Sequence, residues 1–250
     1  MTDHQPGRRL DQVLVDRSFV DSRSRARDLI LRGFVLVNGV VEKRPARRVS
    51  NDQELAIHSA APQFVSRGAE KLTAALDHFS YSPTRKAGLD VGSSTGGFTQ
   101  LLLERGAERV VAVDVGRDQL HPTLREDPRV TVLEQTDARQ LTEDQIGGPV
   151  DCLVMDVSFV SVVKVLPSII DFVRDGGFAV VLVKPQFEVG SEFVGKGGIV
   201  RDADARNDAV QRVRDWMALQ DGWCIDGITK SPISGGSGNI EYLLGARKRG

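Results

Sequence analysis

The chain has 250 residues, enough for one large domain or for an average domain with a small one attached. Its 40% hydrophobic and 27% charged residues are typical of a globular protein, and no apolar run approaches the ~20 residues of a membrane-spanning helix. The stretch from Met1 to Leu10 is polar, unlike a secretion signal. Cys152 and Cys224 show neither zinc-ligand nor disulfide-framework spacing, so we expect a cytoplasmic protein without a metal site.

Positive charge is concentrated near the start of the chain. Between Arg8 and Arg48 there are 11 Lys/Arg and 5 Asp/Glu, although the net charge of the whole chain is −1. Such asymmetry favours a basic module that meets phosphates, joined to a neutral or acidic body. Charge alone is equally compatible with an ordinary solvated surface.

Residues 1–59 predict a small helix–helix–hairpin unit. Apolar residues recur at helical spacing at positions 10, 13 and 14, and again at 26, 29 and 30. Asp21 or Ser22 can cap the second helix, and Gly33 can end it. Residues 34–37 then run into Asn38-Gly39, a strong hairpin signal, and strands at 40–41 and 54–57 complete the unit.

Cations in this unit cluster at the start of the second helix and after the hairpin. Helix N-termini favour anions, and guanidinium groups suit phosphate geometry. Residues 24–30 and 35–39 resemble the small RNA-binding domain shared by a small-subunit ribosomal protein, pseudouridine synthases and tyrosyl-tRNA synthetases. The predicted RNA contacts are Arg8, Arg9, Arg23, Arg25, Arg27, Lys43, Arg44, Arg47 and Arg48, together with Arg67 beyond the unit.

After a short linker at 60–63, residues 64–250 alternate between strand and helix patterns. Strands are predicted at 87–91, 109–114, 129–133, 150–156, 177–184, 223–229 and 239–246, and helices at 67–79, 96–105, 117–125, 160–173 and 203–220. Apolar strands with intervening helices indicate a mostly parallel sheet covered on both faces, with the last two strands as an antiparallel edge hairpin. The fold class is therefore α/β, a Rossmann-like seven-stranded sheet with a small N-terminal α+β domain.

A glycine turn follows the first strand of this sheet, at Gly92-Ser93-Ser94-Thr95-Gly96-Gly97-Phe98. Ser94 replaces the second glycine of a dinucleotide fingerprint, and no P-loop lysine follows. Asp114, at the end of the next strand, can bind both ribose hydroxyls, and Asp137 can reach an adenine amino group. Together with Asp90 these acids indicate S-adenosylmethionine, although glycine turns and strand-end acids are common in α/β proteins generally.

Four further polar residues can serve a methyl transfer. The reaction needs alignment of its partners, and a weak nucleophile such as a ribose hydroxyl also needs a base or a cation beside the developing alkoxide. Asp156 ends the fourth strand and Lys184 the fifth, while Lys71 lies on the entry helix and Glu241 on the last strand. Singly, Lys71 and Glu241 are more typical of surface charges.

The order of these four residues resembles the lysine–aspartate–lysine–glutamate tetrad of FtsJ-class 2′-O-ribose methyltransferases. Motifs resembling the TlyA family cover essentially the whole chain, at residues 64–72, 92–98, 156–161, 183–190 and 237–242. Members of that family methylate cytidine 2′-hydroxyls of ribosomal RNA and are often named haemolysins. The resemblance therefore implies S-adenosylmethionine as cofactor and ribosomal RNA or a ribosomal subunit as partner. The sequence leaves the oligomeric state open, with a monomer slightly favoured.

The resemblance also implies roles for individual residues. Lys184 would be the base or hydroxyl activator, Lys71 and Asp156 its electrostatic partners, and Glu241 an orienting group. Asp156 would also border the cofactor. The complete set of predicted cofactor contacts is Asp90, Gly92, Ser94, Thr95, Gly96, Gly97, Phe98, Asp114, Gln119, Leu120, Asp137 and Asp156.

The sequence departs from the family pattern at two points near the adenine. Residues 116–120 read Gly-Arg-Asp-Gln-Leu where members commonly have Gly-Tyr-Gly-Gln-Leu, and Asp137 stands where many have asparagine. The sequence also stops nine residues after Glu241, without the extension of members that modify both subunits. We therefore expect large-subunit (23S) RNA as substrate, with small-subunit (16S) RNA as the second candidate.

Three other functions are compatible with parts of the pattern. A membrane-active haemolysin would need a span or a strongly amphipathic basic helix, and the sequence has neither. A ribosome-binding protein with an inactive methyltransferase domain would have lost members of the tetrad, which is complete here. A nicotinamide dehydrogenase is disfavoured by Ser94 and by the lack of a nearby His or Tyr for hydride transfer.

Overall fold

The protein is described by a computed structural model over residues 7–235 and 238–250, so Ser237 of the last motif lies outside the described residues. The chain divides into two compact units, Met1–Gln63 and Phe64–Gly250. Ala61, which we expected in a linker, is buried in the apolar core of the small unit.

From residue 7 onward the small unit has two helices and two small sheets, as the pattern predicted in outline. Its elements are β1 (Arg8–Arg9), α1 (Leu10–Asp16), α2 (Arg23–Leu31), β2 (Val35–Val37), β3 (Val40–Val41), β4 (Arg48–Val49) and β5 (Leu55–Ile57). Strands β3, β2 and β5 form one antiparallel sheet in that order, and β1 pairs with β4. Leu10, Leu14 and Ile30 are fully buried, so both helices turn their apolar sides to one core.

Local signals fix the ends of these elements. Ser22 caps α2 by accepting a hydrogen bond from the Arg25 amide at 3.2 Å. Asn38 and Gly39 both have positive φ, 51° and 76°, as a two-residue hairpin turn of this twist requires. The predicted hairpin is therefore confirmed, and Ser22 rather than Asp21 is the cap.

The described residues of the large unit form seven strands and six helices. Its elements are α3 (Gly68–Phe79), β6 (Ala87–Val91), α4 (Gly97–Glu104), β7 (Arg109–Val113), α5 (Pro122–Arg125), β8 (Val130–Leu133), α6 (Glu143–Ile146), β9 (Val150–Met155), β10 (Val173–Val183), α7 (Pro185–Glu188), α8 (Ala203–Ala218), β11 (Trp223–Lys230) and β12 (Tyr242–Lys248).

The strands of this unit form one sheet in the order β11-β12-β10-β9-β6-β7-β8. Neighbours from β10 to β8 are parallel, whereas β12 runs antiparallel to both β10 and β11. Along β10, Val181 and Val183 face one apolar core while Val180 and Leu182 face the other. The seven-stranded, mostly parallel sheet with an antiparallel edge is therefore confirmed, and burial on both faces explains its continuous apolar strands.

Two predicted helices are wrong in most of their length. The helix expected at 117–125 is reduced to α5, because the amides of residues 118–120 bond to a side chain and not to carbonyls one turn earlier. The segment expected as a helix at 160–173 forms three single 3-10 turns, at 162–164, 166–168 and 170–172. Pro167 lacks the N–H that a continuous helix would use there.

The last strand begins later than predicted. Glu241 was expected on it but lies one residue before β12. Its carbonyl accepts a hydrogen bond from the Ser231 amide at 2.9 Å, so it still lies beside the end of β11. Glu241 is therefore held at the sheet edge by the backbone, while its side chain is left for the site described below.

The described part of the chain contains no helix that is both long and apolar enough to cross a bilayer. Within the same residues, no three His, Cys, Asp or Glu side chains come together in a way that could hold a metal ion. Cys152 and Cys224 are both free thiols, and burial raises the pKa of Cys152 to about 12.

Candidate active site

A cavity of about 470 Å³ lies at the edge of the sheet where parallel strands β6, β7 and β9 end. This is the edge at which open α/β sheets bind ligands. Apolar side chains make up much of its wall, including Val113, Val157 and Val165. Of the predicted cofactor contacts, those that line it are Gly92, Ser94, Asp114, Gln119, Asp137 and Asp156.

Gly92 sits where the turn after β6 touches the backbone after β9. Its φ is +85°, and a Cβ at this position would overlap the carbonyl oxygen of Asp156 and lie 2.8 Å from its carbonyl carbon. Only glycine fits both conditions. The glycine turn and the segment that begins with Asp156 therefore share one packed contact.

Asp114 ties together the two loops that border the cavity. Its Oδ2 accepts from the Ser94 amide at 2.9 Å and its Oδ1 from the Gly116 amide at 2.6 Å. A carboxylate has about four acceptor positions, so Asp114 can hold both loops and still accept hydrogen bonds from a ligand. The ribose-binding role predicted for Asp114 requires such acceptor positions and stays a prediction.

The other predicted cofactor residues do not line the cavity. Gly96 and Leu120 pack together, since a Cβ on Gly96 would lie 2.8 Å from the Leu120 side chain. Phe98 is buried against the apolar side of α3 and α4. The predicted contacts absent from the lining are Asp90, Thr95, Gly96, Gly97, Phe98 and Leu120.

Asp90 is fully buried in β6 and faces away from solvent. Thr99 Oγ1 donates to its Oδ2 at 2.7 Å, while its Oδ1 has no partner among the described residues. Burial raises the pKa of Asp90 to about 7, and the negative charges of Asp156 and Asp114 act in the same direction. Asp90 is thus a core carboxyl group that links β6 to α4.

This raised pKa predicts how stability depends on pH. An unfolded aspartate has a pKa near 3.9, so between about pH 4 and 7 the folded protein holds a proton that the unfolded chain lacks. The free energy of unfolding should therefore fall as pH rises through this window, by about 3 kcal/mol between pH 5 and 8. In urea unfolding, Asp90→Asn should lack this component. Parallel pH curves for the variant and the wild type would contradict it.

A second cavity of about 370 Å³ holds three of the four tetrad residues. Lys71 and Glu241, 170 positions apart, meet there: Lys71 Nζ donates to Glu241 Oε2 at 2.6 Å, and both residues are buried. Lys184 Nζ lies 2.6 Å from Asp156 Oδ1 and donates to Ser158 Oγ at 2.8 Å. The structure thus brings the predicted tetrad together as two ion pairs.

The two cavities share a wall. Ser158 and Phe159 line both of them, and Asp156 lines the first while its carboxylate pairs with Lys184 in the second. Phe159 is 91% exposed, has a φ of +64°, and lies with its ring centroid 5.2 Å from that of Phe187. The motif at 156–161 contained both lining residues, but sequence reasoning did not single them out.

Glu188 connects the segment that follows Asp156 to the segment that follows Lys184. Its carboxylate accepts from Ser161 Oγ at 2.6 Å and from the Val162 amide at 2.8 Å. Burial raises the pKa of Glu188, and the two hydrogen bonds oppose that shift. The ends of β9 and β10 are therefore linked beyond their strand pairing.

Asn239 anchors a glycine-rich segment beside the second cavity. It is 2% exposed, accepts from the Val200 amide at 3.0 Å and donates to the Gly198 carbonyl at 2.7 Å. Both ends of its side-chain amide are thereby used. Gly198 lines the second cavity together with Asn239, so this pair fixes part of the cavity wall.

In the small unit, two buried carboxylates organise four of the predicted RNA-binding arginines. Asp11 pairs with Arg9 at 2.9 Å and Arg23 at 3.2 Å, and the Arg9 hydrogen bond is the main cause that lowers the pKa of Asp11. Glu42 does the same for Arg44 and Arg47, at 3.0 and 2.6 Å. Hydrogen bonds from Arg44 above all lower the pKa of Glu42 to about 2.

The remaining predicted RNA contacts differ in exposure. Arg27, Lys43 and Arg48 are exposed, and Arg8 pairs with Asp16 on the surface. Arg25 and Arg67 are partly buried, and the Arg25 side chain, 14% exposed, donates to the Pro62 carbonyl. The exposed cations are therefore better placed than Arg25 to contact a phosphate.

Comparison with known proteins identifies the family. The FtsJ-like methyltransferase model matches residues 64–248, and the S4 domain model matches residues 8–55. The 16S/23S rRNA (cytidine-2′-O)-methyltransferase TlyA of Mycobacterium tuberculosis is 46% identical over 240 residues, which cover 96% of this chain and 89% of that protein. The chain belongs to the TlyA family of FtsJ-like methyltransferases.

Two further similar proteins are named for 23S rRNA methylation and for haemolysis. The 23S rRNA (cytidine-2′-O)-methyltransferase TlyA of Campylobacter jejuni is 32% identical, over 89% of this chain and 92% of that protein. The solved structure of a candidate hemolysin from Streptococcus thermophilus is 37% identical and superposes with a TM-score of 0.77, over 98% of this chain and 89% of that one. The predicted family and fold class are confirmed.

Proposed function

We propose that this chain transfers a methyl group from S-adenosylmethionine to the 2′-hydroxyl of a cytidine in ribosomal RNA, in the cytoplasm. The observation that carries the proposal is the wall shared by the two cavities. The strand-end acids line one cavity, the two lysines line the other, and the Asp156–Lys184 pair joins them. A methyl donor and a hydroxyl acceptor bound on either side of this wall would be aligned for transfer.

The first cavity suits the proposed cofactor. Its volume of about 470 Å³ is in the range of small-molecule sites. Among its described lining residues, three carboxylates face one cation, Arg139, which donates to Asp137 at 2.6 Å. This acidic balance favours a ligand with a positive centre over a pyrophosphate. When bound there, S-adenosylmethionine would supply an electrophilic methyl group on a sulfonium.

Residues around this cavity divide the binding of the cofactor between them. Asp114 has acceptor positions left for ribose hydroxyls after holding two backbone amides. Asp137 lines the cavity and would accept a hydrogen bond from the adenine amino group, and Arg139 keeps that carboxylate in place. Gln119 closes the same side of the cavity. Val113 and Val157 offer apolar surface to the adenine ring.

Lys184 is the residue placed to activate the acceptor hydroxyl. Among the described residues its ammonium group is paired with Asp156 and donates to Ser158, and a third hydrogen is left for a group in the second cavity. Of the two roles that the family resemblance implies, this pairing supports stabilisation of the developing alkoxide by the ammonium. Glu241 and Lys71 would orient the ribose from the opposite wall.

The proposal is tested with purified protein, methyl-labelled S-adenosylmethionine and separate ribosomal subunits. We expect label in the ribose of a cytidine, and both subunit RNAs are candidates, because the names of the two relatives include 23S and 16S RNA. Digestion to nucleosides and chromatography against 2′-O-methylcytidine identifies the product. Label in a base, or none with either subunit, would contradict the proposed reaction.

The S4-matched unit should supply much of the RNA affinity. Replacing exposed Arg23 and Arg27 together with alanine should weaken RNA binding and reduce the salt slope of the association constant by about two, since each phosphate contact contributes about one. Titrations at several salt concentrations measure this, with Arg129→Ala, which removes an arginine paired with Asp127 on the large unit, as the control. Unchanged slopes would show that these arginines do not contact phosphates.

A further inference from the structure

One carboxylate holds the loop that forms a side of the first cavity. Glu134 follows β8 directly. Its Oε2 accepts from the Asp118 amide at 2.7 Å, and its Oε1 accepts from the Gln119 and Leu120 amides at 2.8 and 2.9 Å. Arg125, at the end of α5, adds an ion pair of 2.8 Å. Four donors therefore converge on one side chain that is 10% exposed.

These contacts keep the carboxylate charged. Burial opposes its ionisation, but the Leu120 amide, the Arg125 guanidinium and the two other amides together lower the pKa of Glu134 to about 2. Hydrogen bonds to a charged acceptor contribute more than those between neutral groups. The carboxylate is therefore charged at neutral pH, where it holds the loop strongly.

Apart from Glu134, the backbone of the attached loop is held at its start, where the Gly116 amide donates to Asp114 and the Gly116 carbonyl accepts from the Gln135 amide. Asp118 has a φ of +52°, and residues 116–120 form neither helix nor strand. The three amides that Glu134 binds would otherwise turn to water.

The loop reaches the first cavity on one side and the glycine turn on the other. Gln119 lines the cavity directly, with its side chain packed over Gly116. On the other side, Leu120 supports the glycine turn beneath Gly96, and the His121 amide donates to the Thr95 carbonyl at 3.2 Å. A shift of the loop would therefore disturb the side of the cavity and the turn at the same time.

We propose that Glu134 is a positioning residue for the cofactor: its carboxylate holds residues 118–120 so that Gln119 and the glycine turn are preorganised to bind S-adenosylmethionine. This inference rests on the proposed function, since it names the ligand of the same cavity. Glu134 itself does not line the cavity. Its effect is transmitted through the backbone of the loop.

Two measurements on Glu134→Gln and Glu134→Ala test the inference. Hydrogen exchange without any ligand should show the amides of 118–120 exchanging at least about tenfold faster, because a charged acceptor has been lost. Isothermal titration should show the Kd for S-adenosylmethionine raised by about tenfold or more, with RNA affinity unchanged. In Glu134→Ala, sodium acetate but not sodium chloride at equal ionic strength should restore part of the affinity. Asp127→Asn, which breaks another carboxylate–arginine pair nearby, should change neither quantity.

The outcomes separate this inference from the proposed function. Exchange that stays at the wild-type rate would show that Glu134 does not hold the loop. Faster exchange with an unchanged Kd would show that the loop does not position the cofactor, and either result overturns the inference. If the wild type itself fails to bind S-adenosylmethionine, the proposed function is wrong. The positioning role is then wrong too, even if the exchange result shows that the Glu134 carboxylate holds the loop.

Discussion

Replacing Lys184 with methionine should lower the rate constant of methyl transfer by about a thousandfold, within the 10² to 10⁴ range typical of a lost activating group. Methionine removes the positive charge of the side chain but keeps most of its volume. Because Lys184 lines the second cavity and not the first, the affinity for S-adenosylmethionine should change little. Single-turnover methylation of ribosomal RNA at saturating cofactor measures the rate, and titration calorimetry the affinity.

The matched control for this variant is Lys230→Met, which changes an exposed lysine at the end of β11. It should methylate at the wild-type rate. Thermal unfolding of both variants shows whether loss of the pair with Asp156 has disturbed the fold. A folded Lys184→Met protein that works at the wild-type rate would remove this residue from the mechanism.

Replacing Gly92 with alanine should both destabilise the large unit and abolish measurable cofactor binding. The residue must adopt a φ of +85°, and its new methyl group would collide with the backbone carbonyl of Asp156, which no rotamer change can relieve. Backbone strain and overpacking of this kind cost about 2–4 kcal/mol together. Urea unfolding measures the loss of stability, and calorimetry the loss of binding.

Gly148→Ala separates the two causes. Gly148 also has a positive φ, +90°, but a Cβ there meets nothing within 4 Å. This control should show the conformational cost alone, about 1–2 kcal/mol, with cofactor affinity retained. If Gly92→Ala and Gly148→Ala are equally destabilised and both bind cofactor, the contact between the glycine turn and Asp156 is not needed for cofactor binding.

The strand pattern was enough to predict where the site lies. Asp114, Asp156 and Lys184 each follow a buried strand, and the carboxyl ends of parallel strands meet at one edge. Their approximate neighbourhood therefore follows from periodicity alone. The structure adds that Asp90, also in a strand, points into the core, which a pattern of strand ends cannot distinguish.

The pairings between distant residues could not be predicted from spacing. Lys71 and Glu241 were each more typical of a surface, and only the closure of the sheet by β12 buries them together. The role of Ser158 as a partner of Lys184 depends on the direction of the chain after β9. Family resemblance supplied the tetrad, but the arrangement as two separate ion pairs came from the structure.

Local errors have local causes. The segment 160–173 has enough apolar residues for a helix, yet Pro167 and a series of single turns divide it. Residues 117–120 were predicted to begin a helix too, but the Glu134 carboxylate binds the amides of 118–120 instead. Helix propensity is a weak preference that such tertiary contacts override.

The Lys71–Glu241 pair places two opposite charges where almost no water reaches, with side chains 9% and 3% exposed. Removing two charges from water is expensive, and apolar residues of similar volume often hold a fold as well or better. The resting protein therefore gains little stability from this pair. Changing one partner alone leaves the other as a buried charge without its counter-ion. An inactive single variant of either residue therefore does not show whether the chemistry or the fold has been lost. In this part of the molecule, the proposed activity and the stability of the fold therefore place different demands on the same two residues.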